Sequence, residues 1–206
     1  MSCTRDTPRC PKTTDPNTGR LFVPPCCRTH IRNLFHAALG AMVKAGVFVW
    51  LDYGTLLGAV REGNFIDHDD DADFSILIKD KDLAREALQK VADENGYDLR
   101  SAFLDDGMQL YLSKNNALHI DVFFWHEEGD YYDRNSYVKG TDDNKGKKIP
   151  KSWVHPLSYT HMDGAVAPIP NNPEEFLAYR YGDTWREPLR IYLFNNMLNG
   201  NKERFG

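Results

Sequence analysis

Apolar residues recur at helical spacing from residue 31: Ile31, Leu34, Phe35, Ala38, Leu39, Met42 and Val43 share one face, and Gly46 closes the run. Val47–Leu51 then reads as a short buried strand. Leu56–Val60 reads as a short helix and residues 72–78 as a second strand. Asp82–Asn95 carries Leu83, Ala87, Leu88 and Val91 on one helical face. Two further strands are expected at Met108–Leu112 and Ala117–Trp125, separated by a Lys114-Asn115-Asn116 turn. Met162-Asp163-Gly164-Ala165 is a hairpin signal flanked by short strands. Pro173–Tyr181 predicts a helix with Asn171 or Asn172 as its N-cap and the proline in its first turn. Residues 1–28 show no periodicity and predict an irregular loop, and the charged stretch Gly140–Lys148 predicts a mobile surface loop. Helices and strands alternate early and strands cluster later, so the expected class is α/β (α+β): a mixed sheet with flanking helices over 29–206, preceded by the 1–28 loop.

Composition narrows the function. With 206 residues, 41% of them hydrophobic, the chain can bury one sizeable core. A net charge of −5 disfavours a nucleic-acid-coating protein. No apolar run is long enough to cross a membrane, and the polar N-terminus lacks the apolar segment of a signal peptide. The expectation is a soluble cytoplasmic chain, or a fragment of an anchored parent.

Chemistry concentrates between Trp50 and Ile78. Asp69, Asp71 and Asp73 alternate, so an extended chain points their carboxylates to one face while Asp70 points to the other. Such anions repel unless a cation sits among them, and hard divalent ions such as Mg2+ or Mn2+ share oxygen ligands with phosphate substrates. A further acid, Asp121, interrupts the apolar strand around Ile120 and Val122, where an unpaired carboxylate is costly. His119 shares the face of Asp121, as either a substrate or supporting group or a structural histidine. Gly54-Thr55 follows a strand and opens a helix, an arrangement that offers N–H groups and a partial positive charge to a phosphate. Arg61, one turn on, could clamp a phosphate bidentately. The acidic run lacks the glycine and glutamate of an EF-hand loop, and an apolar strand follows it directly, unlike a solvated acidic loop.

The four cysteines, Cys3, Cys10, Cys26 and Cys27, all lie in the N-terminal segment. Together they could close a tetrahedral zinc site that holds an otherwise shapeless segment, with His30 in reserve. Two disulfides or four unrelated thiols are the other readings.

Gly54-Thr55-Leu56-Leu57-Gly58-Ala59-Val60-Arg61, Asp69 through Asp73, His119-Ile120-Asp121-Val122, and Pro170-Asn171-Asn172-Pro173 through Tyr181-Gly182 stand in the order of four motifs of the LicD family. That family includes bacterial phosphocholine transferases and animal fukutin-related proteins, and the chain resembles it over nearly its whole length. The resemblance implies a nucleotidyltransferase-like fold and transfer of a phospho-alcohol from a CDP-alcohol donor to a carbohydrate hydroxyl, releasing CMP. Asp69, Asp71, Asp73 and Asp121 would be the metal ligands, and Asp73 or Asp121 would accept the hydroxyl proton. Arg180 and Tyr181 would line the pocket. Asp67-His68 replaces the family's Pro-Trp, which leaves donor choice among choline, ribitol, glycerol and similar alcohols open. Pro24-Pro25-Cys26-Cys27 and the first cysteine interval are similar to the zinc-finger loop of fukutin-related proteins, which implies zinc at the four cysteines. The competing readings are transfer of NMP from an NTP with release of pyrophosphate, and a non-enzymatic module that binds a phosphorylated glycan.

Overall fold

Period-two alternation of apolar and polar positions, interrupted by capped helical runs, produces a mixed sheet with helices against it. The computed structural model describes residues 3–102, 106–134 and 148–188. The first half runs β1 (Thr13–Thr14), β2 (Leu21–Phe22), α1 (Pro25–Ala45), β3 (Val49–Leu51), α2 (Tyr53–Glu62) and β4 (Asp71–Leu77), then a 3-10 turn into α3 (Lys81–Asn95). The rest runs β5 (Asp98–Ala102), β6 (Gly107–Tyr111), β7 (His119–Glu128), β8 (Tyr131–Asp133), β9 (Lys148–Pro150), α4 (Lys151–Val154), β10 (Ser158–Met162), β11 (Ala165–Ile169) and α5 (Pro173–Tyr181). The expected α+β class is observed.

The main sheet has the order β3-β4-β7-β6-β5, and β8 and β9 extend it from the far end of β7. All neighbours are antiparallel except β4 and β7, which run parallel with Asp71 opposite His119, Asp73 opposite Asp121 and Ser75 opposite Phe123. Alternation divides these two central strands into a dry face and an acidic face. Ala72, Phe74 and Ile76 with Ile120, Val122 and Phe124 form the dry face. Helix α1 covers it through Ile31, Leu34, Phe35, Ala38 and Met42, and Phe35 stacks on Phe74 with ring centroids 5.3 Å apart. Burying each of these large side chains contributes about 1.5–3 kcal/mol, which makes this face the anchor for everything opposite it.

The structure moves several sequence-based boundaries. Helix α1 starts at Pro25, within the segment expected to be an irregular loop, because proline fits a first helical turn whose N–H groups are unpaired anyway. Cys26 and Cys27 therefore stand on its first turn. The same segment holds the β1–β2 ladder, with Thr13 opposite Phe22. Helix α2 runs Tyr53–Glu62, beyond the expected Leu56–Val60, because Asp52 caps it and accepts the Tyr53 N–H at 2.7 Å. The β10–β11 hairpin forms as expected, its turn made by Asp163 and Gly164, both at positive φ. The charged loop expected over 140–147 lies outside the described residues, while Lys148 opens β9.

Candidate active site

The acidic face of β4 and β7 and the N-terminus of α2 meet at one place. Gly54 explains how closely: a side chain there would overlap Asp69 Oδ2 and stand 3.7 Å from Asp73 Oδ2. Both carboxylates thus converge over the bare glycine at the head of α2. On the neighbouring rung, Asp71, His119 and Asp121 bring potential ligand atoms within 4.8 Å of one another. The parallel register joins the two groups by setting Asp73 beside Asp121. The four aspartates singled out in the sequence are therefore brought together, with Asp69 contributed by the loop before β4 rather than by the strand itself.

Electrostatics mark the site as unfinished by protein alone. Burial and then repulsion from Asp71 push the Asp69 carboxyl up to about 6. Burial raises Asp71, with Asp121 adding to the effect and His119 opposing it. Asp73, 8% exposed, is driven well above the usual carboxylate range by burial and then by Asp71, Asp121, Asp52 and Asp69. No hydrogen bond or ion pair among the described residues neutralises the Asp73 carboxylate. A buried, unpartnered anion among three others fits a divalent cation, and its oxygen donors fit a hard one.

The surrounding groups are held firmly. Asp121 Oδ1 accepts the Gln109 amide at 2.8 Å, and Tyr111 donates to Gln109 Oε1 at 2.8 Å. Asp70 turns away from the cluster and is held by Arg9 and by Lys12 at 3.1 Å. The Thr55 hydroxyl oxygen accepts the Asp73 N–H at 2.8 Å, and this side chain is buried. What α2 offers an anion is thus its first-turn backbone N–H groups more than the threonine hydroxyl. Arg61 departs from the expected clamp. It lies in the last turn of α2, about 10 Å along the axis from Gly54 at about 1.5 Å per residue, and its guanidinium forks onto Glu62 at 2.6 and 2.8 Å.

Sequence reasoning missed a buried network behind the acids. Asp52, fully buried, receives the Ser75 hydroxyl at 2.7 Å and pairs with Arg180 at 2.8 Å, and Trp125 donates to Ser75 at 2.9 Å. Arg180 lies 3.8 Å above the Tyr53 ring, and Tyr53 holds φ 42, a strained value for a non-glycine residue. Arg134 stacks 3.9 Å over Phe123 and donates to the Tyr53 hydroxyl. An aspartate two residues before Gly54-Thr55, at the end of a strand, is the one sequence signal that could have identified Asp52 as a cap.

Gly54→Ala should separate site geometry from stability. A methyl there displaces the Asp69 carboxylate, a flexible group, while alanine suits a helix better than glycine by up to about 1 kcal/mol. The expected result is a melting temperature at or above wild type with turnover reduced on the order of 100-fold. A variant that turns over normally would show that Asp69 need not occupy its present position.

The cysteines form a second cluster. Cys3, Cys10, Cys26 and Cys27 place their sulfurs within 4.8 Å of one another, with Cys3–Cys27 at 3.3 Å and Cys10–Cys26 at 3.6 Å. Zinc–thiolate distances of about 2.3 Å give tetrahedral sulfur–sulfur edges of about 3.8 Å, so the donor set fits zinc. A hydrogen bond from the Cys3 backbone lowers Cys26 to about 7, whereas burial raises Cys3 and Cys27. His30, the reserve ligand, instead lies 3.2 Å from the Cys3 carbonyl. This cluster abuts the acidic site: Val23 donates to the Asp67 carbonyl at 2.7 Å, and Arg28 reaches the Ile66 and Asp67 carbonyls at 2.7 and 2.9 Å.

The family described as LicD/FKTN/FKRP, nucleotidyltransferase domain, matches residues 46–172. That span includes β3, α2, β4 and β7, and so the whole acidic cluster. Ribitol 5-phosphate transferase FKRP of Mus musculus is 30% identical over 192 residues, which is 88% of this chain and 38% of that protein. Ribitol-5-phosphate transferase FKTN of Homo sapiens is 28% identical over 170 residues, 80% of this chain and 35% of that protein. The chain thus spans little more than a third of the length of these relatives. Among solved structures, the lincomycin-bound lincosamide antibiotic adenylyltransferase LnuA is 17% identical at a TM-score of 0.46 over 68% of this chain and 78% of its own, a likeness too distant to carry an argument. Through the segment that builds the acidic face, this chain belongs to the LicD/FKTN/FKRP family.

Proposed function

We propose that residues 29–206 form a transferase domain that moves a phospho-alcohol unit, ribitol phosphate or a similar group, from a CDP-alcohol to a glycan hydroxyl and releases CMP. The convergence of Asp69, Asp71, Asp73 and Asp121 beside the head of α2 carries this reading. The relatives' names supply the class of transferred group, since both mouse FKRP and human FKTN are ribitol 5-phosphate transferases.

The four aspartates would hold Mg2+ or Mn2+, whose charge neutralises pyrophosphate oxygens during an in-line displacement. The first-turn N–H groups of Gly54 and Thr55 receive the donor's phosphate, which the helix dipole favours. Asp73 or Asp121 takes the proton of the attacking hydroxyl, and Gln109 keeps Asp121 oriented for that transfer. Asp52 and Arg180 tie the head of α2 to α5. No helix among the described residues is long and apolar enough to cross a membrane.

A panel of CDP-choline, CDP-ribitol and CDP-glycerol with Mg2+ or Mn2+, followed by chromatography for CMP, tests the reading. CMP released with one donor in the presence of an acceptor supports it. Pyrophosphate released from an NTP, with every CDP-alcohol untouched, replaces it with nucleotidyl transfer.

The N-terminal cysteines would hold a structural zinc that pins residues 3–28 beside the 66–70 loop. Elemental analysis of the purified chain should give stoichiometric zinc. Chelation should lower the melting temperature on the order of 5 °C or more, because binding energy at such a site is folding energy. Cys27→Ser, altering a fully buried ligand, should lose the metal. A zinc-free chain with an unchanged melting curve would refute this role.

A further inference from the structure

His119 lies beside the aspartates, yet neither the proposed chemistry nor the fold gives it a task. Its Nδ1 is 2.9 Å from the Ala117 carbonyl oxygen, which can only accept, so Nδ1 carries a proton and Nε2 is the nitrogen turned to the carboxylates. Nε2 stands 3.4 Å from Asp121 Oδ1 and faces Asp71 across the parallel ladder. The ring is stacked on one face by Tyr111, with centroids 5.0 Å apart and planes 24° off parallel, and Arg100 in turn lies 4.3 Å from the Tyr111 ring centroid. A fixed tautomer, a backbone hydrogen bond on the distal nitrogen and a locked ring are the features of a metal-ligating histidine.

Asp121 is prepared in the same way. Gln109 donates to Oδ1 at 2.8 Å, which holds that oxygen in place 3.4 Å from His119 Nε2. The neighbouring Asp73 carboxylate, buried and without a partner, is an independent sign that the row accepts a cation.

We infer that Asp71, His119 and Asp121 form a mixed imidazole–carboxylate centre in which His119 Nε2 binds the metal directly, so that the site takes Mn2+ or Co2+ in preference to Mg2+. The inference rests on the metal-dependent reading above and adds a nitrogen donor to it. Mg2+ seeks an octahedron of oxygens, whereas imidazole nitrogen raises affinity for first-row ions of the Irving–Williams order.

One rival ligand must be separated. His68 Nε2 lies 3.9 Å from Asp69 Oδ1. Mn2+ titrated into the full chain and followed by pulsed electron paramagnetic resonance reads nitrogen coordination without any turnover. The expected result is imidazole nitrogen modulation in the wild type, retained in His68→Gln and lost in His119→Gln. Mn2+ affinity should fall on the order of 10- to 100-fold in His119→Gln, while Mg2+ affinity changes by less than about threefold. Circular dichroism confirms the fold of each variant, and the wild-type signal needs no variant at all. Mn2+ binding without nitrogen modulation, or modulation that survives His119→Gln, overturns the inference and leaves the carboxylate metal reading standing. Absence of Mn2+ and Mg2+ binding overturns both.

Discussion

Asp73→Asn should abolish turnover and at the same time raise the melting temperature of the metal-free protein. Asp73 sits where four carboxylates meet, buried and without a hydrogen-bond donor, and Asp71, Asp121, Asp52 and Asp69 all push against its charge. Asparagine keeps the shape, removes one anion and brings an N–H2 group that can donate to the oxygens around it. Relief of this repulsion is worth roughly 1–2 kcal/mol, or a few degrees in a domain of this size. The loss of a ligand and charge at the reacting centre should cost on the order of a thousandfold or more in turnover.

The pH dependence follows from the same groups. A carboxyl that titrates higher in the fold than in the open chain keeps its proton in the folded state over the interval between the two values. Stability from that proton is complete below the unfolded value and is lost as pH rises through the folded one. For Asp69 the interval runs from 3.8 to about 6, and Asp73 is shifted in the same direction. The metal-free wild type should therefore melt lower at pH 7.5 than at pH 5 on account of these groups, and Asp73→Asn should show a shallower fall. Added Mn2+ or Mg2+ should stabilise the wild type more at pH 7.5 than at pH 5. Calorimetry at the two pH values, with and without metal, checks all three. A variant within tenfold of wild-type turnover, or one that melts lower than wild type without metal, would remove Asp73 from the site.

Much of the site could be read from the chain because its residues are local. Alternation within Asp71–Leu77 and within His119–Glu128 fixed which side chains share a face, and that inference needs only the strand period. The parallel pairing of these strands, which sets Asp73 beside Asp121, follows from the crossover between them and has no local signature. Strand β5 escaped notice because Asp98–Ala102 reads DLRSA, a charged edge strand with one apolar residue inside its flanks. The start of α1 escaped for the opposite reason: Pro24-Pro25-Cys26-Cys27 resembles loop composition, yet proline is at home in a first turn. Arg61 stands seven residues from Gly54, two helical turns along α2, and its guanidinium bonds to Glu62, a pairing that the sequence interval does not announce. The pairing of Asp52 with Arg180 joins the two ends of the domain, and only the folded sheet brings them into contact.

That pair should yield the largest stability effect in the molecule. Asp52 is fully buried, and the Arg180 side chain is 7% exposed. The Nε and Nη2 of Arg180 are buried without a well-aligned hydrogen bond, so neutralisation of its charge rests on the ion pair between Nη2 and Asp52 at 2.8 Å. Asp52→Ala strips away the counter-ion, the Ser75 acceptor and the cap of α2 together. The loss should be about 3–5 kcal/mol, or on the order of 10 °C in melting temperature, because a guanidinium is left in a site from which water is largely excluded. Arg180→Met should cost less, since Asp52 keeps the Ser75 hydroxyl and the Tyr53 N–H. Joining Asp52→Asn to Arg180→Met should cost less than the sum of Asp52→Asn alone and Arg180→Met alone, as coupled neighbours do. The cycle is read by denaturant unfolding of all four proteins. Strict additivity would mean that the two charges stabilise the fold independently, and the link from α5 to the head of α2 would then have to be sought in the stacking of Arg180 on Tyr53.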